Sequence, residues 1–282
     1  MKTGLVLEGG AMRGLFTAGV IDVMMERGLT WDGIMGVSAG AVFGCNYKSH
    51  QPGRVLRYNL RFCRDPRYSS LRSLVRTGDL YGAEFCYREI PEKLDPFDTE
   101  AYEKDPMDFY VVCTDAATGR PVYHNCLKGD REDLDWFRGS ASMPGVSRAV
   151  EVGGYRLLDG GISDSIPLRA LQARGYERCV VVLTQPVHYV KEKSRALPLF
   201  RMALRRYPRV AETLSRRHTI YNEEVAYVRE QERQGKVFVL RPEEALPVSR
   251  VEHDPDKLQA AYDLGRAVTE KRWQALTDFL EG

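Results

Sequence analysis

The chain has 282 residues, of which 43% are hydrophobic, 28% charged and 10% aromatic; these values fit an ordinary globular protein and exclude a disordered, collagen-like or coiled-coil chain. Forty-one basic and 39 acidic side chains leave a formal charge of +2, too balanced for wholesale nucleic-acid binding, so any electrostatic function must come from local clusters. No apolar run approaches the roughly 18 residues of a membrane span, and the opening MKTGLVLEGG places Gly and Glu where a signal peptide would stay apolar, which predicts a cytoplasmic protein.

In chain order, residues 3–8 form a short apolar run that stops at Gly9-Gly10, and the spacing of Leu15, Val20, Val23 and Met24 predicts a helix from Met12 to about Gly28. A second strand is predicted over 34–37 and a helix from Ala39, so the first 48 residues read as a βαβα unit, which implies a parallel sheet. Both glycine turns, 9–14 and 36–40, then face the crevice at the carboxyl ends of the strands. Residues 109–115 and 122–125 flank Thr118-Gly119-Arg120-Pro121 as a hairpin, 178–183 reads as a central strand and 236–240 as a last one. Helices are predicted over 131–139, 167–174, 197–233 with a break, and 256–280. With no repeat or linker in evidence, the expectation is a single α/β domain over 1–282: a central, mostly parallel sheet flanked by helices in an open three-layer α/β/α arrangement. Cys45, Cys63, Cys86, Cys113, Cys126 and Cys179 include no C-x-x-C pair and are expected to be reduced packing thiols.

Gly36-Val37-Ser38-Ala39-Gly40 is a G-x-S-x-G sequence between a predicted strand and a predicted helix, the context of a nucleophile elbow. A serine N-cap in a glycine-rich turn is the bland alternative. Gly9-Gly10-Ala11-Met12-Arg13-Gly14 offers a row of backbone N–H groups at a helix amino terminus, suited to an oxyanion. A dinucleotide phosphate loop is disfavoured, because Ala11 replaces the fingerprint's second glycine and that reading leaves Ser38 unexplained. For a base there are two candidates: His188, in the loop after the 178–183 strand, and Asp159, which is followed by Gly160-Gly161 and also fits a plain Asp-Gly turn.

Taken together, the Gly9–Gly14 loop, the elbow at Ser38 and Asp159-Gly160-Gly161 resemble, in order, the motifs of the patatin-like phospholipases, specifically bacterial stand-alone members. Ser140-Ala141-Ser142-Met143-Pro144 resembles the family's segment ahead of the D-G-G turn. The resemblance covers about residues 3–185, leaving a helical, basic extension over about 190–282. It implies a serine esterase or lipid acyl hydrolase with Ser38 as nucleophile, Asp159 as base and no catalytic histidine. It further implies an oxyanion loop of Gly9, Gly10, Ala11, Arg13 and Gly14, completed by the Ala39 amide, with Gly36, Gly40, Gly160 and Gly161 shaping the two turns. One departure is Ala11, where the family carries a third glycine. An aspartate is a feeble base at its ordinary pKa, so the reading predicts a desolvated site that raises it, unless Arg13 lies close enough to lower it. No cofactor or metal is expected.

Residues 191–217 hold nine Lys/Arg against Glu192 and Glu212, and 54–76 hold seven Arg against Asp65. Both are candidate basic faces for anionic membrane, with solvated helix surfaces as the alternative, and no motif accompanies them that would suggest nucleic acid. Tyr221, Val225, Tyr227 and Val228 read as core rather than as an acyl pocket. A catalytically idle scaffold binding a partner or membrane is the competing class.

Overall fold

A computed structural model describes residues 1–282. Eight strands form one sheet: β1 (Lys2–Leu7), β2 (Gly33–Val37), β3 (Asp108–Asp115), β4 (Pro121–Asn125), β5 (Val150–Val152), β6 (Tyr155–Asp159), β7 (Tyr176–Val182) and β8 (Val237–Leu240). The sheet runs β5-β6-β3-β2-β1-β7-β8, with β4 also paired to β3. Its centre is parallel from β3 to β8, while β4, β5 and β6 are antiparallel. The helices are α1 (Gly14–Glu26), α2 (Ala39–Lys48), α3 (Arg54–Phe62), α4 (Leu71–Thr77), α5 (Thr99–Lys104), α6 (Arg131–Ser140), α7 (Leu168–Gln172), α8 (Leu197–Ala203), α9 (Pro208–Arg233), α10 (Pro255–Lys271) and α11 (Trp273–Glu281), with a π-helix over Phe85–Leu94.

Side-chain alternation along the strands divides the core into two faces. Leu5 and Leu7 of β1 pack with α1, α2 and α10 residues such as Leu15, Phe16, Phe43 and Leu258. Val6 between them packs on the other face with Val181, Val239, Leu168 and Tyr221. The sheet therefore lies between two helical layers, as the sequence predicts. A smaller cluster of Leu158, Ile162, Leu204, Val210 and Leu214 docks the start of α9 on the turn that follows β6. No helix is long and apolar enough to cross a membrane.

Several predicted boundaries shift. The break expected within 197–233 falls between Ala203 and Pro208, where proline lacks the amide needed to continue a helix, while 256–280, read as one helix, divides at Arg272. The β5–β6 hairpin, the π-helix and α5 carry no expectation from the sequence, whereas α3 and most of α4 fall within the 54–76 stretch read as a helix surface. Much of the arginine cluster at 54–76 is paired within the chain: Arg54 is buried and bonds Asn46 and Asp95, Arg57 makes two bonds to Asp95, and Arg67 pairs with Asp65.

Candidate active site

Strand β3 brings the two candidate residues together from 121 positions apart. It pairs with β2 up to Val37↔Val112 and with β6 at Cys113↔Asp159, so consecutive β3 residues hold the end of β2 beside the end of β6. Ser38 is the next residue after Val37. Its hydroxyl donates to Asp159 Oδ2 at 2.8 Å.

Ser38 has φ 53° and ψ −121°, a conformation that costs an L-residue on the order of 1–3 kcal/mol. The turn is forced by close packing on both sides. A Cβ on Gly40 would lie 2.3 Å from the Leu7 carbonyl oxygen, and one on Gly36 2.6 Å from the Gly40 carbonyl oxygen. The Ser38 amide donates to Ser140 Oγ at 2.8 Å, and that hydroxyl donates to the Val112 carbonyl at 2.6 Å, which ties the elbow to the end of α6 and to β3. Ser38 sits at the N-cap of α2, whose positive end faces the site.

Asp159 is buried, and its second oxygen, Oδ1, accepts the Gly161 amide at 2.8 Å. Its backbone is pinned as well, since the Asp159 amide donates to the Ser142 carbonyl at 2.8 Å and Thr114 Oγ1 donates to the Asp159 carbonyl at 2.8 Å. Burial pushes the Asp159 carboxyl above the usual carboxylate range, and the Arg217 guanidinium, the Ser38 hydroxyl and the Gly161 amide each pull it partly back. The cation acting on Asp159 is thus Arg217 of α9, rather than the Arg13 considered from the sequence. Arg217 Nε donates to the Gly161 carbonyl at 2.5 Å.

The Gly9–Gly14 loop passes directly over the elbow: a Cβ on Gly9 would meet Ser38 Cβ at 3.0 Å, and one on Gly14 would meet Ala39 Cβ at 2.8 Å. The amides of Gly9, Gly10, Ala11 and Ala39 donate to no acceptor within the chain. Ala11 has φ 50°, in the left-handed region that favours glycine, which gives a backbone reason for the glycine usual at this point. The loop closes as a 3₁₀ turn over Ala11–Arg13 that leads into α1.

Above Ser38 and Asp159 opens a cavity of about 360 Å³, in the size range of small-ligand sites. Apolar side chains dominate its wall, among them Phe43, Tyr58, Tyr87, Ile90, Phe137 and Phe200, and a sizeable share, including Tyr58, Tyr68, Tyr81, Tyr87 and Ile90, comes from the 54–91 segment, for which the sequence suggests no part in the site. The π-helix supplies Tyr87, Ile90 and Pro91 to this wall. Tyr221, expected to be core, lines the cavity while staying buried.

No histidine lines the cavity. His188 is exposed, and the Ser38 hydroxyl is committed to Asp159. Elsewhere His124, Cys126 and Asp133 bring ligand atoms within 4.8 Å of one another. Asp133 there accepts the Lys128 and Gly129 amides, and His124 stacks on Trp136 at 4.0 Å. All six cysteines are free thiols, and five of them are buried.

Comparison with known proteins places this geometry in context. The family model described as patatin-like phospholipase matches residues 5–171, and a domain of unknown function (DUF6363) matches 207–281. The uncharacterized protein YjjU of Escherichia coli is 32% identical over 189 residues, which are 66% of this chain and 52% of that protein. Lysophospholipase NTE1 of Saccharomyces cerevisiae is 29% identical over 64% of this chain and 10% of its own length. Among solved structures, VipD from Legionella pneumophila aligns over 97% of this chain and 67% of its own, at 13% identity and a TM-score of 0.49. The chain thus spans about half, or much less, of the curated relatives it matches. The match over 5–171, which takes in the glycine loop, the elbow and the Asp159 turn, shows that this chain belongs to the patatin-like phospholipase family.

Proposed function

We propose that the protein is a serine esterase acting on lipid acyl esters, with Ser38 as nucleophile and Asp159 as its base. The observation that carries this reading is the 2.8 Å hydrogen bond from Ser38 Oγ to Asp159 Oδ2, on the floor of an apolar cavity and beneath a loop of free amides. The family membership and the name lysophospholipase borne by the yeast relative support the substrate class.

In the proposed reaction Asp159 takes the Ser38 proton as Oγ attacks the ester carbonyl. The oxyanion is met by the Gly10, Ala11 and Ala39 amides, each such donor contributing about 2.7–4 kcal/mol of transition-state stabilisation. The leaving alcohol takes the proton back from Asp159 and an acyl-enzyme remains. Water, deprotonated by Asp159, then releases the acid and restores Ser38. Desolvation makes Asp159 a better base than a free aspartate, and Arg217 opposes that rise by favouring the ionised form.

The α8 segment beside the cavity also suits an interface. Its Phe200 lines the cavity, while Leu199 and Met202 are exposed among Arg195, Arg201, Arg205 and Arg206, a basic and apolar face of the kind that lies on anionic lipid. Hydrolysis of soluble and lipid esters, with and without anionic vesicles, tests both parts. Activity lost in Ser38→Ala and Asp159→Asn, kept in His188→Ala and raised by vesicles is expected; an inert, folded wild type would favour a binding scaffold.

A further inference from the structure

Six basic side chains line the cavity. Two are paired, Arg54 at 3.3 Å from Asp95 and Arg138 at 3.4 Å from Asp79. The remaining four, Arg13, Lys191, Arg217 and Arg250, form no ion pair, yet they lie close enough to act on one another. Burial is the main reason that Lys191 and Arg217 hold their protons less firmly; Arg13 and Arg250 add to it in both and Arg217 adds to it in Lys191, while Glu8 opposes it in Lys191 and Asp159 and Glu224 oppose it in Arg217. Besides Asp79, two carboxylates line the cavity, and both are occupied by hydrogen bonds from other groups. Glu8 accepts from the Thr184 amide at 2.5 Å, the Thr184 hydroxyl at 3.1 Å and the Tyr221 hydroxyl at 2.8 Å. Asp159 accepts from Ser38 and Gly161. Four basic side chains facing two carboxylates leave the cavity with an excess of basic groups, of which Arg13, Lys191 and Arg217 are half-buried and Arg250 is exposed. Arg13 Nε is buried with no acceptor at all. Buried charged donors without acceptors are costly, and an anion brought by a ligand relieves that cost.

The cluster is also built rather than loose. The Lys191 backbone exchanges two hydrogen bonds with the Asn222 side chain, at 2.9 and 3.1 Å, and its ammonium lies 4.2 Å from the centre of the Tyr221 ring. Arg217 is fixed by its bond to the Gly161 carbonyl. Lys191, Arg217 and Arg250 all lie outside the 5–171 match, and the last two fall in the 207–281 segment that carries no known function.

Resting on the esterase reading above, we propose that Lys191, Arg217 and Arg250, together with Arg13, form a subsite for a phosphate group of the substrate. The enzyme thereby prefers acyl esters with a phosphate-bearing headgroup, and the 207–281 segment contributes that selectivity. Guanidinium forks match phosphate oxygens two at a time, and an ammonium adds a mobile point charge beside them. The carbonyl end of the same substrate reaches Ser38 while its acyl chain takes the apolar wall.

The test compares kcat/KM for 1-myristoyl lysophosphatidate and 1-myristoylglycerol, presented as monomers, with p-nitrophenyl butyrate as a neutral reference and inorganic phosphate as a competitor. Wild type is expected to favour the lysophosphatidate by roughly tenfold or more, the worth of one charge-assisted hydrogen bond. Arg250→Ala and Lys191→Met are each expected to cut that ratio several-fold, while Arg229→Ala, exposed on α9 outside the cavity, leaves it unchanged. A wild type that hydrolyses p-nitrophenyl butyrate but treats the two lipids alike overturns the subsite and spares the esterase reading. Inhibition by inorganic phosphate without a lipid preference assigns the cations to a free anion and likewise overturns it. Failure on all three esters removes the reading on which the subsite rests.

Discussion

Ser140 offers a sharp test of how the elbow is held. Its hydroxyl is fully buried, accepts the Ser38 amide at 2.8 Å and donates to the Val112 carbonyl at 2.6 Å. Ser140→Ala deletes both bonds and leaves a buried N–H and a buried C=O without partners, at about 1–3 kcal/mol for each orphaned group. The expected loss of stability is therefore about 2–6 kcal/mol, read as a lower urea midpoint with an unchanged slope. Ser38 itself is held in a conformation that costs on the order of 1–3 kcal/mol, so without its tether the serine should relax away from Asp159. Hydrolysis of a soluble ester should then fall by at least about tenfold in kcat, beyond any effect on the folded fraction. Ser140→Thr keeps the hydroxyl and adds a methyl group, and so separates loss of the bonds from general disturbance of the site. A Ser140→Ala variant with wild-type stability and wild-type kcat would refute the view that this hydroxyl positions the elbow.

Other outcomes follow from the same geometry. Arg217→Gln removes the cation that lowers Asp159, so its carboxyl rises further; the base must be ionised to act, and the acidic limb of the kcat/KM profile should move to higher pH, whereas an unmoved limb would contradict the assignment. Gly40→Ala sets a methyl group 2.3 Å from the Leu7 carbonyl oxygen, and an overpacking cost of about 1–3 kcal/mol or more should appear as a lower denaturation midpoint. Ala11→Gly relieves the left-handed backbone while adding freedom to the unfolded chain, so stability should change by less than about 1 kcal/mol and activity should be kept; a tenfold loss of activity would count against the loop reading. Glu224, buried beside Asp164 and accepting the Ser165 and Ile166 amides, has its carboxyl raised from 4.5 to about 9 by burial and by that neighbour. The folded chain therefore holds a proton that the unfolded chain gives up, and Glu224 costs stability as pH rises from about 4.5 towards 9. Denaturation at pH 5, 7 and 9 should show Glu224→Gln gaining on wild type across that interval.

Much of the site was legible because it is local. The strand–glycine–helix order at 3–28 and 34–48 follows from apolar period and turn residues, and it placed the glycine loop and Ser38 at the same sheet edge. What the periodicity could not show is the register of β3, which alone sets Asp159 beside Ser38. Taken from its neighbours in sequence, Asp159 fits a common Asp-Gly turn, and its choice over His188 came from family resemblance. The cavity wall between residues 54 and 91 was missed for a different reason. Its short helices alternate with polar turns, and a π-helix containing Pro91 has no regular apolar repeat to detect. The arginines of that stretch read as a surface, yet Arg54 spends its charge on buried neighbours. Arg217 carried no local signal, because its importance comes from packing α9 across the turn at Gly161.

The central claim is that Ser38 is a nucleophile activated by Asp159. Its most direct measurement is peptide mass spectrometry of the folded protein after reaction with a fluorophosphonate, comparing wild type, Asp159→Asn and His188→Ala. A nucleophilic Ser38 activated by Asp159 should form a phosphonate adduct at similar rates in wild type and His188→Ala, with labelling slowed by about a hundredfold or more in Asp159→Asn. No adduct on Ser38, undiminished labelling in Asp159→Asn, or labelling lost in His188→Ala would contradict it.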